Sequence, residues 1–450
     1  MLCLGVNDMS REMKDSGVEW IGEIPENWKI CRLKHILRMP MQYGANETGI
    51  KYDENLPRYI RITDISNNNQ LKDVGKLSLS FEQAEGYYLK EGDILFARSG
   101  ATVGKTFIYE GKYGKCAFAG YLIRASLKKN VIPKFVYYYT LSKGYETWKN
   151  MIFVQATIQN IGADRYSNLE ITLPEINEQK KIVAYLEKKC GKIENIIQNS
   201  KTSIEEYKKL KQAIIIRGVT KGIRNVKPMK ESGIEWIGEI PVNWNLVPFR
   251  HVLKERIEKN NPIKSTERLS LSIDLGVTLY SEKTTNLDRF KDDFEQYKVA
   301  HKGDLVMNSM NMIVGASGQS DYFGCVSPAY YTFYDETEDH CTAKYCEYVF
   351  RSKAMLRILF SLGKGIYAIV RGDDRVNTCR LKVSKEDLKN IVIPVPPLEE
   401  QREIAKYLNE KCGEINEAIA KKEQFISELE NYKKSLIYEY VTGKKEVPEI

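Results

Sequence analysis

The sequence predicts an α+β protein: two similar mixed α/β domains separated by two long helices that pair as an antiparallel coiled coil, with pseudo-two-fold symmetry. Two observations lead to this prediction. An apolar stripe with helical spacing occurs twice at a constant distance along the chain, and a short tryptophan-containing block also occurs twice. The length of 450 residues is enough for two or three domains with proper cores.

The two predicted helices share one register of apolar residues, and each equivalent pair lies 222 positions apart. Spacings of three, four and seven place these residues on one side of a helix. A stripe that is narrow and long is typical of a coiled-coil seam, so each helix needs a partner and the other helix supplies it. The predicted helix-pairing residues are Ile182, Leu186, Ile193, Ile197, Ile204, Leu210 and Ile214 in the first helix and Ile404, Leu408, Ile415, Ile419, Ile426, Leu429 and Leu436 in the second.

The tryptophan block at residues 13–28 returns at residues 229–244 with 13 of 16 positions identical. The two copies hold Trp20, Trp28, Trp236 and Trp244, which are four of the five tryptophans. Gly-Glu-Ile-Pro between the tryptophans indicates a turn that presents two aromatic anchors. No titratable cluster accompanies the block, so we interpret it as a docking segment rather than a catalytic one.

The repeats define the domain boundaries. Runs of branched and aromatic residues predict strands at 57–63, 93–98 and 169–173 in the first domain, and a helix at 134–149. The two domains differ at most positions, so one frame carries two different binding domains. The predicted segments are 1–176 (N-terminal segment and first mixed domain), 177–218 (first helix), 219–228 (linker), 229–397 (second mixed domain), 398–443 (second helix) and 444–450 (tail).

Composition sets further limits. The net charge of +8 is a mild basic excess, which is compatible with a polyanionic partner but weak evidence by itself. Nine scattered cysteines without a CxxC pair suit a reducing cytoplasm. No apolar run approaches the ~18 residues of a membrane span, so we expect a soluble protein. His340, Cys341 and Cys346 lack a fourth ligand at suitable spacing, so we predict no metal site.

Residues 99–106, Ser-Gly-Ala-Thr-Val-Gly-Lys-Thr, resemble a phosphate-binding P-loop. That loop needs four residues between its glycines, whereas Gly100 and Gly104 enclose three. The favoured interpretation is strand–loop–strand, with Arg98, Ser99, Thr102 and Lys105 within reach of phosphates or base edges, although a plain surface hairpin is equally compatible with any one of these residues. Methyltransferase, GxSxG and HExxH motifs are absent from the sequence, and only four histidines are present, so the chain is predicted to bind rather than to catalyse.

Two further segments support a resemblance to a known family. Pro-Glu-Ile-Asn-Glu-Gln-Lys at 174–180 and Pro-Pro-Leu-Glu-Glu-Gln-Arg at 396–402 each lead into a long helix. Together with the Gly-Asp-Ile-Leu-Phe-Ala-Arg-Ser-Gly run from residue 92 and the duplicated order of elements, they resemble the specificity subunit of type I restriction-modification systems over nearly the whole chain.

The resemblance implies two target recognition domains that read a bipartite, asymmetric site in double-stranded DNA, one domain per half-site. It also implies that this chain holds no cofactor or catalytic residue. Two modification subunits (adenine methyltransferases) would use S-adenosylmethionine, and two restriction subunits would use ATP and Mg. The candidate DNA-binding residues are Arg98, Ser99, Thr102, Lys105, Gln155 and Gln159 in the first domain and Asn308, Ser309, Asn311, Lys364, Tyr367, Arg371 and Arg375 in the second.

Three alternatives remain open from the sequence. The chain could be the specificity partner of another DNA-modification or phage-defence system that has no type I nuclease. It could be a P-loop nucleotide hydrolase, which measurable ATP turnover would reveal. A coiled-coil scaffold with no role on DNA would explain the helices, but it would not explain two divergent domains.

Overall fold

The structure, a computed structural model, describes residues 11–66, 68–100, 102–154, 160–224, 228–273, 275–283, 293–337, 339–366 and 380–448. The chain divides into two compact units. The first unit comprises Met1–Ser200 and Gln424–Ile450, and the second comprises Lys201–Glu423. Both unit boundaries fall within the long helices, so each unit combines one mixed domain with a part of each helix.

The two long helices span Ile176–Lys221 and Leu398–Val441. The first was expected to stop near Gly218, but it continues through that residue. A Cβ at Gly218 would lie 3.1 Å from a side-chain carbon of Leu408, so glycine permits a close approach of the two helices there. The helix ends before Gly222, whose φ of +76° is the left-handed conformation common just after a helix.

Within each unit the helices run antiparallel, because the residue number on one helix falls as the number on the other rises. The contacts that show this are Tyr185 with Tyr440 and Glu194 with Lys433 in the first unit, and Tyr207 with Lys422 and Lys211 with Asn416 in the second. The antiparallel pairing predicted from the repeated stripe is therefore confirmed.

Burial agrees with most of the predicted stripe but not at Leu210, which is 48% exposed. Near its end the first helix packs through Ile215 and Val219 into the core of the second unit, around Trp244. In this last part of the first helix the buried positions are shifted by about one residue from the predicted stripe. The reason is that the helix packs there against the domain core as well as against the other helix. Of the other predicted positions, Ile182, Leu186, Ile193, Ile197, Ile204, Ile404, Leu408, Ile415, Ile426 and Leu436 are buried, and Ile214, Ile419 and Leu429 are half-buried.

Each unit contains an antiparallel four-stranded sheet with the same neighbour order. In the first unit the strands in that order are Gln42–Tyr43, Leu122–Ala125, Ile94–Ala97 and Thr106–Ile108. In the second unit they are Lys254–Glu255, Tyr330–Tyr334, Leu305–Asn308 and Ser317–Gln319. The frame is therefore shared although most residues differ.

The remaining strands also pair within their own unit. In the first unit a second four-stranded sheet has the order Cys116–Phe118, Arg58–Ile60, Leu77–Ser78 and Ile50–Lys51, and Lys29–Arg32 pairs with Glu170–Leu173. In the second unit the two-stranded pairs are Asn245–Pro248 with Val392–Val395, Leu269–Ser272 with Gly276–Leu279, Lys298–Ala300 with Gly324–Val326, and Lys364–Ile366 with Arg380–Lys382.

Short helices complete both units. In the first unit they are Leu33–Ile36, Phe81–Ala84, Pro133–Tyr139, Lys143–Val154 and Ala163–Ser167. In the second they are Tyr280–Lys283, Cys341–Arg351, Lys353–Leu362 and Lys385–Asn390. Single 3-10 turns occur at Ile62–Asp64, Gly111–Tyr113, Phe249–His251, Phe294–Gln296 and Met312–Val314.

Two predicted elements are shorter than expected. The helix expected over 134–149 is interrupted after Tyr139, and Ser142 Oγ accepts the amide of Tyr145 at 3.3 Å, which caps a second helix. The strand expected over 57–63 stops at Ile60, because the Asp64 carboxylate accepts the Arg61 amide at 2.7 Å and closes a turn. The strands expected at 93–98 and 169–173 are present as Ile94–Ala97 and Glu170–Leu173.

Both tryptophan blocks form β-hairpins, Met13–Asp15 with Glu23–Pro25 and Met229–Glu231 with Glu239–Pro241. Trp28 is 1% exposed and its indole N–H donates to Glu178 at 2.9 Å, while Trp244 is fully buried and donates to Glu400 at 3.0 Å. Trp28 and Trp244 therefore join each hairpin to the start of a long helix of the same chain. They are not anchors for another molecule, which corrects that part of the docking interpretation.

The glutamine after each of these glutamates has a matching role. Gln179 donates its side-chain amide to Pro174 O at 2.8 Å, and Gln401 donates to Pro396 O at 2.8 Å. Both glutamines are buried. The duplicated Glu-Gln pair is thus explained by structure: the glutamate accepts the indole and the glutamine ties the helix start to the strand before it.

Candidate nucleic-acid interface

The same turn precedes the central strand of both four-stranded sheets. In the first unit Asp93 accepts the amide of Lys90 at 2.9 Å, and in the second Asp304 accepts the amide of His301 at 2.8 Å. Both aspartates are buried. Because this turn fixes where each central strand starts, it also fixes where the loop after that strand is presented.

In the first unit the strand Ile94–Ala97 pairs antiparallel with Thr106–Ile108, and residues 98–105 form the loop between them. Gly100 and Gly104 have φ values of +81° and +83°, which turn the chain back on itself. A strand follows the loop, so the helix N-terminus that a P-loop uses to bind phosphate is not formed by these described residues. The strand–loop–strand prediction is confirmed.

Arg98 begins this loop and is held at three points. Its amide donates to Tyr121 O at 3.0 Å and its carbonyl accepts from Ile161 at 2.9 Å. Its guanidinium lies 5.0 Å from the centre of the Tyr43 ring. This is a cation–π contact, and the Arg98 Nε is buried without a hydrogen-bond partner among the described residues.

The other three predicted residues of the loop differ in exposure. Thr102 is exposed, whereas Ser99 and Lys105 are half-buried. Lys105 donates to the carbonyl of Ile65 at 3.1 Å. Burial lowers the pKa of Lys105, and the neighbouring Lys72 ammonium lowers it further. Of these loop residues, Thr102 and Lys105 line one pocket, while Arg98 lies over Tyr43.

The equivalent loop of the second unit is built differently. Asn308 is 8% exposed, and its side-chain oxygen accepts the amide of Met310 at 3.0 Å, while Ser309 is fully buried. Asn308 thus holds the turn. Both side chains are buried in this structure, and both stay predictions as DNA contacts.

Two further predicted residues of the second unit lie at the surface. Asn311 is exposed, and the Lys364 ammonium is exposed and lies 3.0 Å from Asp387. Both stay predictions as DNA contacts. The predicted residues Gln155, Gln159, Tyr367, Arg371 and Arg375 lie outside the described residues.

Tyr43 belongs to this region although no sequence pattern indicated it. It lies on a two-residue strand, 41% exposed, and its hydroxyl accepts the amide of Ala163 at 3.0 Å. Only the sheet brings it under Arg98, because 55 residues separate the two in the chain. Nothing near Tyr43 in the sequence links it to Arg98, so its role becomes visible only once the strand pairing is known.

Neither a metal cluster nor a membrane-spanning helix occurs in the part of the chain that is described. No group of three or more His, Cys, Asp or Glu side chains there could hold a metal ion. No helix there is both long and apolar enough to cross a membrane. Burial raises the pKa of the Cys346 thiol, so ionising this thiol, as metal ligation requires, is unfavourable.

Comparison with known proteins decides the family. Residues 25–206 and 273–428 match the type I restriction modification DNA specificity domain, which covers well over half of the chain and falls once in each half. The chain belongs to this family. Type I specificity subunits are DNA-recognition subunits without catalytic activity, and this chain is one of them.

Two full-length relatives come from Methanocaldococcus jannaschii. The chain is 26% identical to the MjaX type I restriction enzyme specificity subunit over 449 residues, covering 94% of this chain and 95% of the relative. It is 22% identical to the MjaVIII specificity subunit over 432 residues, covering 94% and 93%. A chain solved in work on the assembly and conformational transition of a type I R-M system superposes with a TM-score of 0.65 at 16% identity, covering 94% of this specificity subunit and 99% of that chain. The superposition shows a shared fold.

Proposed function

We propose that this specificity subunit reads a bipartite, asymmetric site in double-stranded DNA, with one unit on each half-site. The observation that carries the proposal is that one sheet order occurs twice and supports two different loops. The first loop carries the half-buried cation Arg98 over the Tyr43 ring, whereas the second carries the buried, uncharged Asn308. Two copies of one frame with different loops suit two different half-sites.

The partners follow from the family and stay part of the proposal. Two modification subunits, adenine methyltransferases that use S-adenosylmethionine, would take their sequence specificity from this chain. Two restriction subunits that use ATP and Mg would join the same assembly. We place the complex in the cytoplasm, where the seven free cysteines of the described residues would stay reduced.

Methylation assays test the division of labour. The purified chain alone should neither methylate nor cut DNA, and it should turn over no ATP. Addition of its modification subunit and S-adenosylmethionine should produce adenine methylation at one bipartite sequence, read out by sequencing the modified bases. Methylation or ATP turnover by the chain alone would refute the proposal. A single continuous target sequence would refute the assignment of one unit to each half-site.

A second candidate function differs only in the assembly. A modification or phage-defence system without a type I nuclease would use the same DNA-reading chain, and the two units described here fit it equally well. Cleavage of unmethylated target DNA by the complete assembly, with ATP and Mg, distinguishes the two. Methylation without cleavage would favour the second candidate.

A further inference from the structure

The first unit contains a pocket of about 390 Å³ beside the hairpin loop. Its walls are the loop around Thr102 and Lys105, the helix Lys143–Val154 with Lys149, and Lys434 of the second long helix. This volume is within the range of pockets that hold small groups. All of its walls belong to one unit.

The charge of the pocket is positive. Three lysines line it, and Glu146 is the one carboxylate among the lining residues. Glu146 lies 3.0 Å from Lys434, so these two charges offset each other. Among the described residues no carboxylate lies within 4.0 Å of the ammonium group of Lys105 or Lys149. The Lys105 ammonium donates to the neutral Ile65 carbonyl, so both of these lining lysines lack a counter-ion there.

The position of Lys149 is built into the loop. A Cβ on Gly104 would lie 2.3 Å from Cδ of Lys149, so a side chain at residue 104 and the present path of Lys149 exclude each other. Gly104 also has a φ of +83°. Gly104, which makes the loop resemble a P-loop, therefore leaves room for Lys149 of the neighbouring helix to cross the loop.

The lining residues favour a phosphate group over a whole nucleotide. Tyr145 is the one aromatic residue among them, and it is 3% exposed with its hydroxyl donating to Gly104 O at 2.9 Å. No ring is therefore presented on which a base could stack. Ammonium groups and the exposed Thr102 hydroxyl suit phosphate oxygens.

We propose that this pocket binds a backbone phosphate of the DNA, with Lys149 and Lys105 as its ligands and Lys434 beside them. The inference rests on the proposed function, because it takes the phosphate from the DNA that the first unit reads. It adds a contact outside the loop itself. Phosphate contacts of this kind set the position of a protein on the duplex and carry no base specificity.

Salt dependence measures the contact. Lys149→Met keeps the aliphatic stem over Gly104 and removes the charge, and it should be tested in the full-length chain with its modification subunit. The slope of log K against log salt should fall by about 0.9 for one lost phosphate contact, with a similar effect on target and non-target duplexes. Lys143→Met, at an exposed lysine of the same helix outside the pocket, should leave the slope unchanged.

Two results would overturn the inference while leaving the proposed function intact. One is a wild-type slope for Lys149→Met in a variant whose melting temperature is unchanged. The other comes from inorganic phosphate compared with chloride at equal ionic strength: if phosphate stabilises the wild type but not Lys149→Met, and the DNA slopes stay equal, the pocket holds free anions only. Failure of the wild-type assembly to bind DNA at all would instead refute the proposed function.

Discussion

The two units share one sheet order, but the loops that follow the central strand are built differently. In the first, the half-buried Arg98 guanidinium lies over the Tyr43 ring. In the second, Asn308 turns inward and holds the loop by accepting a backbone amide. The turn before the strand, the strand order and the tryptophan joint are alike in both. The frame is therefore common to both units while the loops differ, so mutations in the frame and in one loop should have different effects.

The largest effect is expected in the frame that both units share. Ile197 is 8% exposed in the stripe where the long helices pair. Ile197→Asp would place a carboxylate there without a partner, so the free energy of unfolding should fall by about 3–5 kcal/mol. Thermal or urea unfolding measures this. The exposed Asn195→Asp is the control and should be mild. Equal tolerance of both changes would mean that the helices do not pair through this stripe.

The next effect compares the two tryptophan joints directly. Trp→Phe removes the indole donor from a glutamate, and a hydrogen bond to a charged group is worth about 1.5–3 kcal/mol. Trp244→Phe should cost more than Trp28→Phe, because Glu400 is only 6% exposed whereas the Glu178 side chain is 27% exposed to water. Unfolding midpoints of the two variants decide it. An equal or larger loss for Trp28→Phe would mean that burial of the glutamate does not set the cost.

The smallest effect on stability, and the most specific effect on binding, is expected at Arg98. Arg98→Ala should leave the free energy of unfolding nearly unchanged and cost about 1–3 kcal/mol of discrimination at one base pair of one half-site, if the guanidinium reads a guanine. Arg98→Lys should restore the charge but not the discrimination, because lysine lacks the planar fork. Sequencing of methylated sites gives the result. Relaxation in both half-sites would break the assignment of one unit to one half-site.

Sequence reasoning succeeded where the pattern was long or repeated. The helical seam and the strand–loop–strand around Gly100 and Gly104 follow from local sequence patterns, because helix and turn geometry act locally. It failed where a residue's surroundings come from distant segments. Leu210 has the right spacing but lies outside the packed side, since Ile215 faces the domain core instead.

The candidate site shows the same limit. Polar residues beside glycines were sound guesses for a loop, yet no pattern in the sequence distinguishes Asn308, which folds inward, from Asn311, which stays exposed. Tyr43 and Lys149 join the first loop only through the sheet and the neighbouring helix. Such residues become visible when the fold is known, because their roles depend on contacts rather than on neighbours in the chain.

The first unit is built from two separate parts of the chain, and this affects how it folds during synthesis. Its sheets are complete once residue 173 has been made, yet the unit also needs Gln424–Ile450, which the ribosome makes only after the whole second unit. At ~5–20 residues per second, the intervening second unit delays that last piece by roughly 10–45 s. During this interval the hairpin that Lys444 and Tyr438 contact in the finished protein waits without them. The first unit begins to fold first and is finished last.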